Sequence, residues 1–287
     1  MAQETGMRIA TWNVNSLGAR LEKVMWWLGR ARPDVLLLQE TKCADEAAPV
    51  SEFAAVGYRL VHHGQGQWNG VAIATRVGAD DVVSNFGRAL EPRQDDEVNS
   101  FSEARMVAAT CGGVRVVSLY APNGRSVGSH HFEAKLQWFQ GLARWVAAST
   151  RPDEPLLLGG DMNVAPADID VWDPTALVGA THVTPRERAA FDALLRLGLA
   201  DAYRLKHPEQ ARFTWWDYRG GNFHRNIGMR IDHLLISRPL VQRLVWTDID
   251  REARKGKPVP SDHAPVVLDL DAPGEAFDTG WAPTAEK

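Results

Sequence analysis

The sequence predicts one α/β domain, and three observations carry that reading. Strand patterns outnumber helical ones, both kinds recur from one end of the chain to the other, and no linker-like shift in composition divides the middle. At 287 residues and 45% apolar content, the chain can bury a single large core.

The elements follow in order. The first strand pattern starts at Met7 in "MRIATWN", which leaves residues 1–6 as a loose leader. Ser16 is placed to cap a helix through "LGARLEKVMWWLGRA", where Leu17, Leu21, Val24, Met25 and Leu28 recur at three and four and Pro33 stops the run. "DVLLLQE" is apolar on both faces, as a strand between two layers must be. Short strand patterns come at 58–63, 70–76, 105–110 and 114–120, several separated by glycine. A helix is expected over 131–148, with Phe132, Leu136, Phe139, Leu142 and Val146 on one stripe. "PLLLGGD" at 155–161 repeats the buried-strand pattern, and its likeness to "DVLLLQE" suggests two similar halves. "TPRE" at 184–187 is a capping box with proline in the first helical position, and its helix runs to about Leu197. "RIDHLLIS" and "HAPVVLDL" close a domain spanning 7–271; the Pro- and Gly-rich segment 272–287 reads as a flexible tail.

A net charge of −4 gives no global field for nucleic acid, so an anionic ligand needs a local basic patch. Arg219, Arg225 and Arg230 supply one without an intervening acid, and Arg251, Arg254, Lys255 and Lys257 another. Two distant cysteines, Cys43 and Cys111, make neither a disulfide framework nor a four-ligand zinc site, which suits a reducing cytoplasm. No apolar run is long enough for a signal peptide or a membrane span.

Three strand patterns run directly into polar groups: Asn13, Glu40, and Asp161 with Asn163. Charges on buried strands are costly unless paired or bound to metal, so these strand ends are expected to meet at one polar site. Asp161 and Asn163, two apart, project to one side of an extended chain. In "RIDHLLIS", Arg230 and Asp232 alternate with Ile231, His233 and Leu235, so Asp232 should point away from the apolar layer and His233 should be structural. Neighbours on a strand face opposite ways, so Asp262 is poorly placed to orient His263, and Asp232 is the better partner; "SDH" alone reads equally as a strand cap. A histidine held by a carboxylate keeps one tautomer and favours its charged form, which suits it to meet phosphate. No nucleophile elbow, phosphate-cradling loop or dinucleotide-binding glycine pattern accompanies these acids. The oxygen-rich set suits Mg²⁺ or Mn²⁺ and attack by water on a phosphodiester.

"TWNVNS" (11–16), "LLLQETK" (36–42), "NGVAIAT" (69–75), "YAPNG" (120–124), "GGDMNVAP" (159–166), "FTWWDYR" (213–219), "GMRIDHLL" (228–235) and "PSDHAPV" (260–266) occur in that order. On these motifs the chain resembles the exonuclease III family of apurinic/apyrimidinic endonucleases, within the endonuclease/exonuclease/phosphatase superfamily. The resemblance implies a four-layer α/β sandwich: two mixed, mostly antiparallel sheets face to face, helices outside, and a site at one edge. It implies a monomeric, Mg²⁺-dependent DNA repair nuclease, with Mn²⁺ as a substitute and no obligate protein partner. Its substrate would be double-stranded DNA, nicked 5′ of abasic sites and trimmed at 3′ ends. By motif position Glu40 would be the principal metal ligand, with Asn13 beside it and Asp262 as a second or alternative contact. Asp161 would activate the water, Asn163 and Tyr120 would meet the phosphate, and His263, oriented by Asp232, would stabilise its transition-state oxygens. Asn123, Arg125, Arg219 and Arg225 would contact substrate, and Trp215 resembles the aromatic placed against an abasic sugar. Asn15 stands where many of these enzymes carry aspartate, which weakens schemes with a second metal. One alternative is a phosphoesterase of the same superfamily acting on RNA or another substrate, against which "FTWWDYR" and "GMRID" argue; another is an inactive DNA-binding member, against which the joint presence of Glu40, Asp161, Asn163, Asp232 and His263 argues.

Overall fold

The computed structural model describes residues 6–86, 101–149, 151 and 153–281. Among them are twelve strands: β1 (Met7–Asn13), β2 (Val35–Gln39), β3 (Arg59–His63), β4 (Val71–Thr75), β5 (Asp80–Ser84), β6 (Met106–Cys111), β7 (Val114–Tyr120), β8 (Leu156–Asp161), β9 (Leu199–Asp201), β10 (Asp232–Ser237), β11 (Leu244–Ile249) and β12 (Val266–Leu270). The α-helices are α1 (Leu17–Ala31), α2 (Val50–Ala55), α3 (His130–Ser149), α4 (Pro185–Leu195), α5 (Ala202–Lys206) and α6 (Arg238–Val241). None of the described helices is long and apolar enough to cross a membrane.

The strands form two six-stranded sheets, ordered β11-β12-β1-β2-β4-β3 and β5-β6-β7-β8-β10-β9. In each, the third and fourth strands pair parallel and every other neighbour pairs antiparallel. The two sheets thus repeat one pattern, with β1 and β2 answering to β7 and β8, so the likeness of "DVLLLQE" and "PLLLGGD" has a counterpart in topology.

Strand parity builds the layers. Ile9, Val35, Leu37, Ile73, Val116, Leu157, Leu234 and Ile236 fill the space between the sheets. Ala10, Leu36, Leu38 and Ala72 face outward against Leu17, Val24, Trp27 and Leu28 of α1, and Val117, Leu158 and Leu235 face Trp138, Leu142 and Val146 of α3 and Phe191 and Leu194 of α4. The four expected layers are present. Between the sheets Gly159 leaves no room for a side chain: a Cβ would lie 2.5 Å from Leu37 Cδ1 of the facing sheet and 2.9 Å from Leu234 Cδ2 of its own.

Three expectations need correction. Residues 272–281 are packed rather than a free tail: Phe277 meets Trp246 at 6.0 Å between centroids, with the Arg8 guanidinium 5.1 Å from its ring, and Trp281 Nε1 donates to Ile249 O at 2.7 Å. Two aromatics supply the burial that Pro/Gly composition alone does not suggest. The α4 helix ends at Leu195, because Leu197 and Gly198 already bond back in a turn. Arg230 does not share a face with Asp232, since it lies outside β10; its guanidinium turns to His233 Nδ1 at 3.1 Å and to Asp170 and Asp201. Asp232 itself points away from the face of His233 and Leu235, as expected, and shares the inter-sheet face with Leu234 and Ile236. The first residues of the leader, 1–5, lie outside the described residues.

Candidate active site

The parity that packs the core also aims the polar groups. Asn13 ends the inward-facing series of β1, Tyr120 that of β7 and Asp161 that of β8, while Asp232 begins that of β10. Register then sets Tyr120 opposite Asp161 and Asp161 opposite Asp232, so three of these side chains form one row across the second sheet. One layer deeper, Gln39 Nε2 donates to Ser118 Oγ at 3.0 Å and Thr11 Oγ1 to Gln39 Oε1 at 3.2 Å, which ties the sheets together behind the row.

Glu40 follows β2 in a left-handed conformation, φ 51°, which turns it towards the second sheet. Asn13 Nδ2 donates to Glu40 Oε1 at 2.8 Å and to Asp161 Oδ2 at 3.0 Å, so one amide spans the two carboxylates. Tyr120 also hydrogen-bonds Glu40; burial first, and then the Glu40 charge, push the phenol well above its usual range. Carboxylate oxygens of Glu40 and Asp161 and a ring nitrogen of His263 all lie within 4.8 Å of one another, the one such group among the described residues.

His263 is held from three directions. Ser261 Oγ donates to Asn13 O at 2.7 Å, His263 N donates to Ser261 Oγ at 3.2 Å, and Trp12 Nε1 donates to His263 O at 3.0 Å. Its Nδ1 meets Asp232 Oδ2 at 2.8 Å, and its Nε2 lies 3.8 Å from Asp161 Oδ2. Burial opposes the charged imidazole, but Asp232, and after it Asp161 and Asp262, outweigh that and raise it to about 10. Burial and the neighbouring Asp232 charge raise Asp161 to about 7. The site therefore pairs a charged imidazole with a carboxyl group poised near neutrality.

Asp262 lies outside that group, though its charge reaches His263. Its Oδ1 accepts from Asn15 Nδ2 at 2.9 Å and its Oδ2 from Trp215 Nε1 at 3.1 Å. Asn15 also accepts from Lys42 Nζ at 2.6 Å, and the same ammonium pairs with Glu40 Oε2 at 2.8 Å. The sequence reading missed Lys42, whose only signal was its place in "QETK". The structural role expected of His233 fits its contacts: Nε2 bonds Val164 O at 2.9 Å, and the tilted ring of Phe191 packs at 4.8 Å.

Asn163 adopts φ 51°; its N donates to Asp161 Oδ1 at 2.8 Å, and its Oδ1 accepts from Asn123 Nδ2 at 3.2 Å. Asn123 is exposed at the mouth. Sequence reasoning also missed the groups beneath these asparagines: buried Lys135, and His182, which burial and the Lys135 charge push down to about 4. Neutral His182 therefore donates from Nδ1 to Asn163 O, at 2.6 Å. Trp215 is half-buried beside His263 and packs on an apolar cluster of Ala165, Val171, Met229 and Ile231. Arg125 and Arg225 are exposed, and Arg219 pairs with Asp217 at 2.9 Å while remaining 90% exposed.

Comparison with known proteins agrees with this geometry. Residues 10–263 match the endonuclease/exonuclease/phosphatase family. The chain is 33% identical to exodeoxyribonuclease III of Haemophilus influenzae, over 91% of this chain and 98% of that protein. Among solved structures it is similar to the 3′-5′ exonuclease NExo of Neisseria meningitidis (TM-score 0.86, 40% identity) and to an AP endonuclease of Archaeoglobus fulgidus (TM-score 0.86, 34% identity), covering 93% of this chain and 100% of each. On this family match, sequence identity and structural similarity, the chain belongs to the endonuclease/exonuclease/phosphatase family, in its exonuclease III group.

Proposed function

We propose that this DNA repair nuclease hydrolyses phosphoesters in duplex DNA at 3′ ends and on the 5′ side of abasic sites. The observation that carries the reading is the row Tyr120, Asp161 and Asp232, facing Asn13 and Glu40 with His263 between. Two close carboxylates suit a hard divalent cation, with Mg²⁺ the natural choice and Mn²⁺ a substitute. Glu40 would hold it, with Asp161 beside it, and bound there it would neutralise charge on the phosphate and the departing alkoxide. Asp262, through Asn15 and Lys42, acts on this site from behind.

The chain's own groups account for the rest. Asp161, hydrogen-bonded by Asn13 and the Asn163 backbone and 3.8 Å from His263, takes the proton of the attacking water. His263 stays charged through Asp232 and faces the phosphate oxygens as negative charge develops on them. Asn163 and Asn123 each carry a two-donor amide nitrogen, so each retains an N–H for a phosphate oxygen beyond the bonds they make to Ala121 O and to one another. Trp215 and the apolar cluster beside it accept a sugar that carries no base; an extruded nucleotide costs least where nothing is stacked or paired. Arg125, Arg219 and Arg225 offer exposed charge to the DNA backbone.

Labelled duplexes test the reading: one with a single abasic site, one with a recessed 3′ end and one with a 3′-phosphate, each with Mg²⁺ and with chelator. Metal-dependent cleavage of at least one, absent in Asp161→Asn, is expected. No cleavage of any of them would overturn the assignment.

A further inference from the structure

Beneath the two asparagines lies a buried ion pair whose contacts exceed what joining two helices requires. Lys135 of α3 has no exposed side-chain surface, and its Nζ donates to Glu187 Oε1 at 2.5 Å, to Asn163 O at 2.6 Å and to Asn123 O at 3.3 Å. Three N–H donors meet three acceptors, so the ammonium is fully satisfied without solvent. Glu187, in the first turn of α4, is equally committed. Its Oε1 also accepts from Thr181 Oγ1 and His182 N, each at 2.9 Å, and its Oε2 accepts from Thr184 N at 3.1 Å and Thr184 Oγ1 at 2.8 Å.

The carbonyls that Lys135 holds belong to the two residues whose side chains join at the mouth of the site. Asn163 and His182 both adopt left-handed backbone, φ 51° and 77°, which persists in non-glycine residues where the surroundings over-determine it. A peptide unit pinned at its carbonyl fixes the Cα–Cβ direction of its residue and so the aim of the side-chain amide.

We propose that Lys135 and Glu187 are positioning residues for phosphoester hydrolysis, clamping the backbone of Asn123 and Asn163 so that both amides meet the scissile phosphate. The inference rests on the phosphate-binding role given above to those asparagines. A displacement of about 1 Å in a catalytic group can cost about 100-fold in rate, so the clamp's effect belongs in kcat.

The test uses the full chain with Mg²⁺ and a 3′-end duplex. Lys135→Met alone strands a buried carboxylate and is expected to melt at a lower temperature. Lys135→Met/Glu187→Gln removes both charges and should recover most of that melting temperature while kcat stays about 100-fold down with KM little changed. Adding Asn163→Ala to the double variant should cost little more, because the clamp acts through that residue. Recovery of kcat together with melting temperature, or a full further loss on adding Asn163→Ala, would overturn the clamp and leave the pair a purely structural one. If the first double variant does not fold, Lys135→Gln/Glu187→Gln keeps a hydrogen bond between the helices and is judged by the same outcomes. Asn163→Ala alone separates the two levels: wild-type turnover there refutes the asparagine's role, and the clamp with it, while a slow Asn163→Ala beside a fast double variant refutes the clamp only.

Discussion

His263 Nδ1 meets Asp232 Oδ2 at 2.8 Å, although the two residues stand 31 apart in sequence. The contact orients the ring, turns Nε2 towards Asp161 and keeps the imidazole charged. Asp232→Asn is therefore expected to lower the imidazole pKa from about 10, read by NMR titration, and to slow cleavage. His263→Ala should lower kcat about 10²- to 10³-fold while DNA affinity stays within a few-fold. Unchanged turnover would remove His263 from the mechanism.

Asp161→Asn should lose about 10²- to 10⁴-fold in cleavage rate with DNA binding largely intact. The same residue gives the metal-free protein a pH signature. Its folded-state pKa of about 7 lies above the ordinary 3.8, so its contribution to stability is fully present below about pH 4 and is lost as pH rises through about 7. Melting temperatures measured in chelator should fall across that window in the wild type and fall less in Asp161→Asn. A divalent ion favours the carboxylate, so apparent Mg²⁺ affinity should strengthen as pH rises to about 7.

Acid stability should depend on Arg230. Its guanidinium bridges Asp170 and Asp201, each at 2.6 Å. Burial alone would raise both carboxyl groups, but Arg230 outweighs it and holds them below their usual range. Their contribution is present above the ordinary value of 3.8 and is lost as pH falls below it. Asp201→Asn is expected to cost about 3–5 kcal/mol in urea unfolding at pH 7 and to flatten the acid dependence.

Trp281→Ala should lower stability by about 2 kcal/mol by releasing the strap over β11, with kcat on DNA little changed. Denaturant unfolding beside a nuclease assay would separate the two effects.

Trp215→Ala should reduce cleavage at abasic sites more than removal of a 3′-phosphate, because only the former needs an extruded sugar to be packed. Equal losses on the two substrates would argue that Trp215 serves mainly to hold Asp262.

Much of this site was legible in the chain because alternation decides it. A period of two along buried strands places Asn13 and Asp161 on the same inward face as Ile9 and Leu157, and the cost of burying charge implies that such ends converge. The pairing of His263 with Asp232 followed from the same rule. Arg230 escaped it because alternation stops where β10 begins, at Asp232. Lys135 escaped because a lysine inside an amphipathic helix reads as a solvent-facing charge until its partner, 52 residues on, is known. Strands β5 and β9 carry too few alternating apolar residues to declare themselves, β5 being "DDVVS" and β9 three residues long, and β11 breaks its register between Leu244 and Trp246.

Gly159 gives the sandwich a gauge. Leu37 and Leu234 close over a position with no side chain, and the acids that face each other lie only a few residues further along the same strands. A methyl group there would act as a wedge, prising the jaws apart at their root. The spacing of the acids at the mouth is thus calibrated by a residue that touches neither of them.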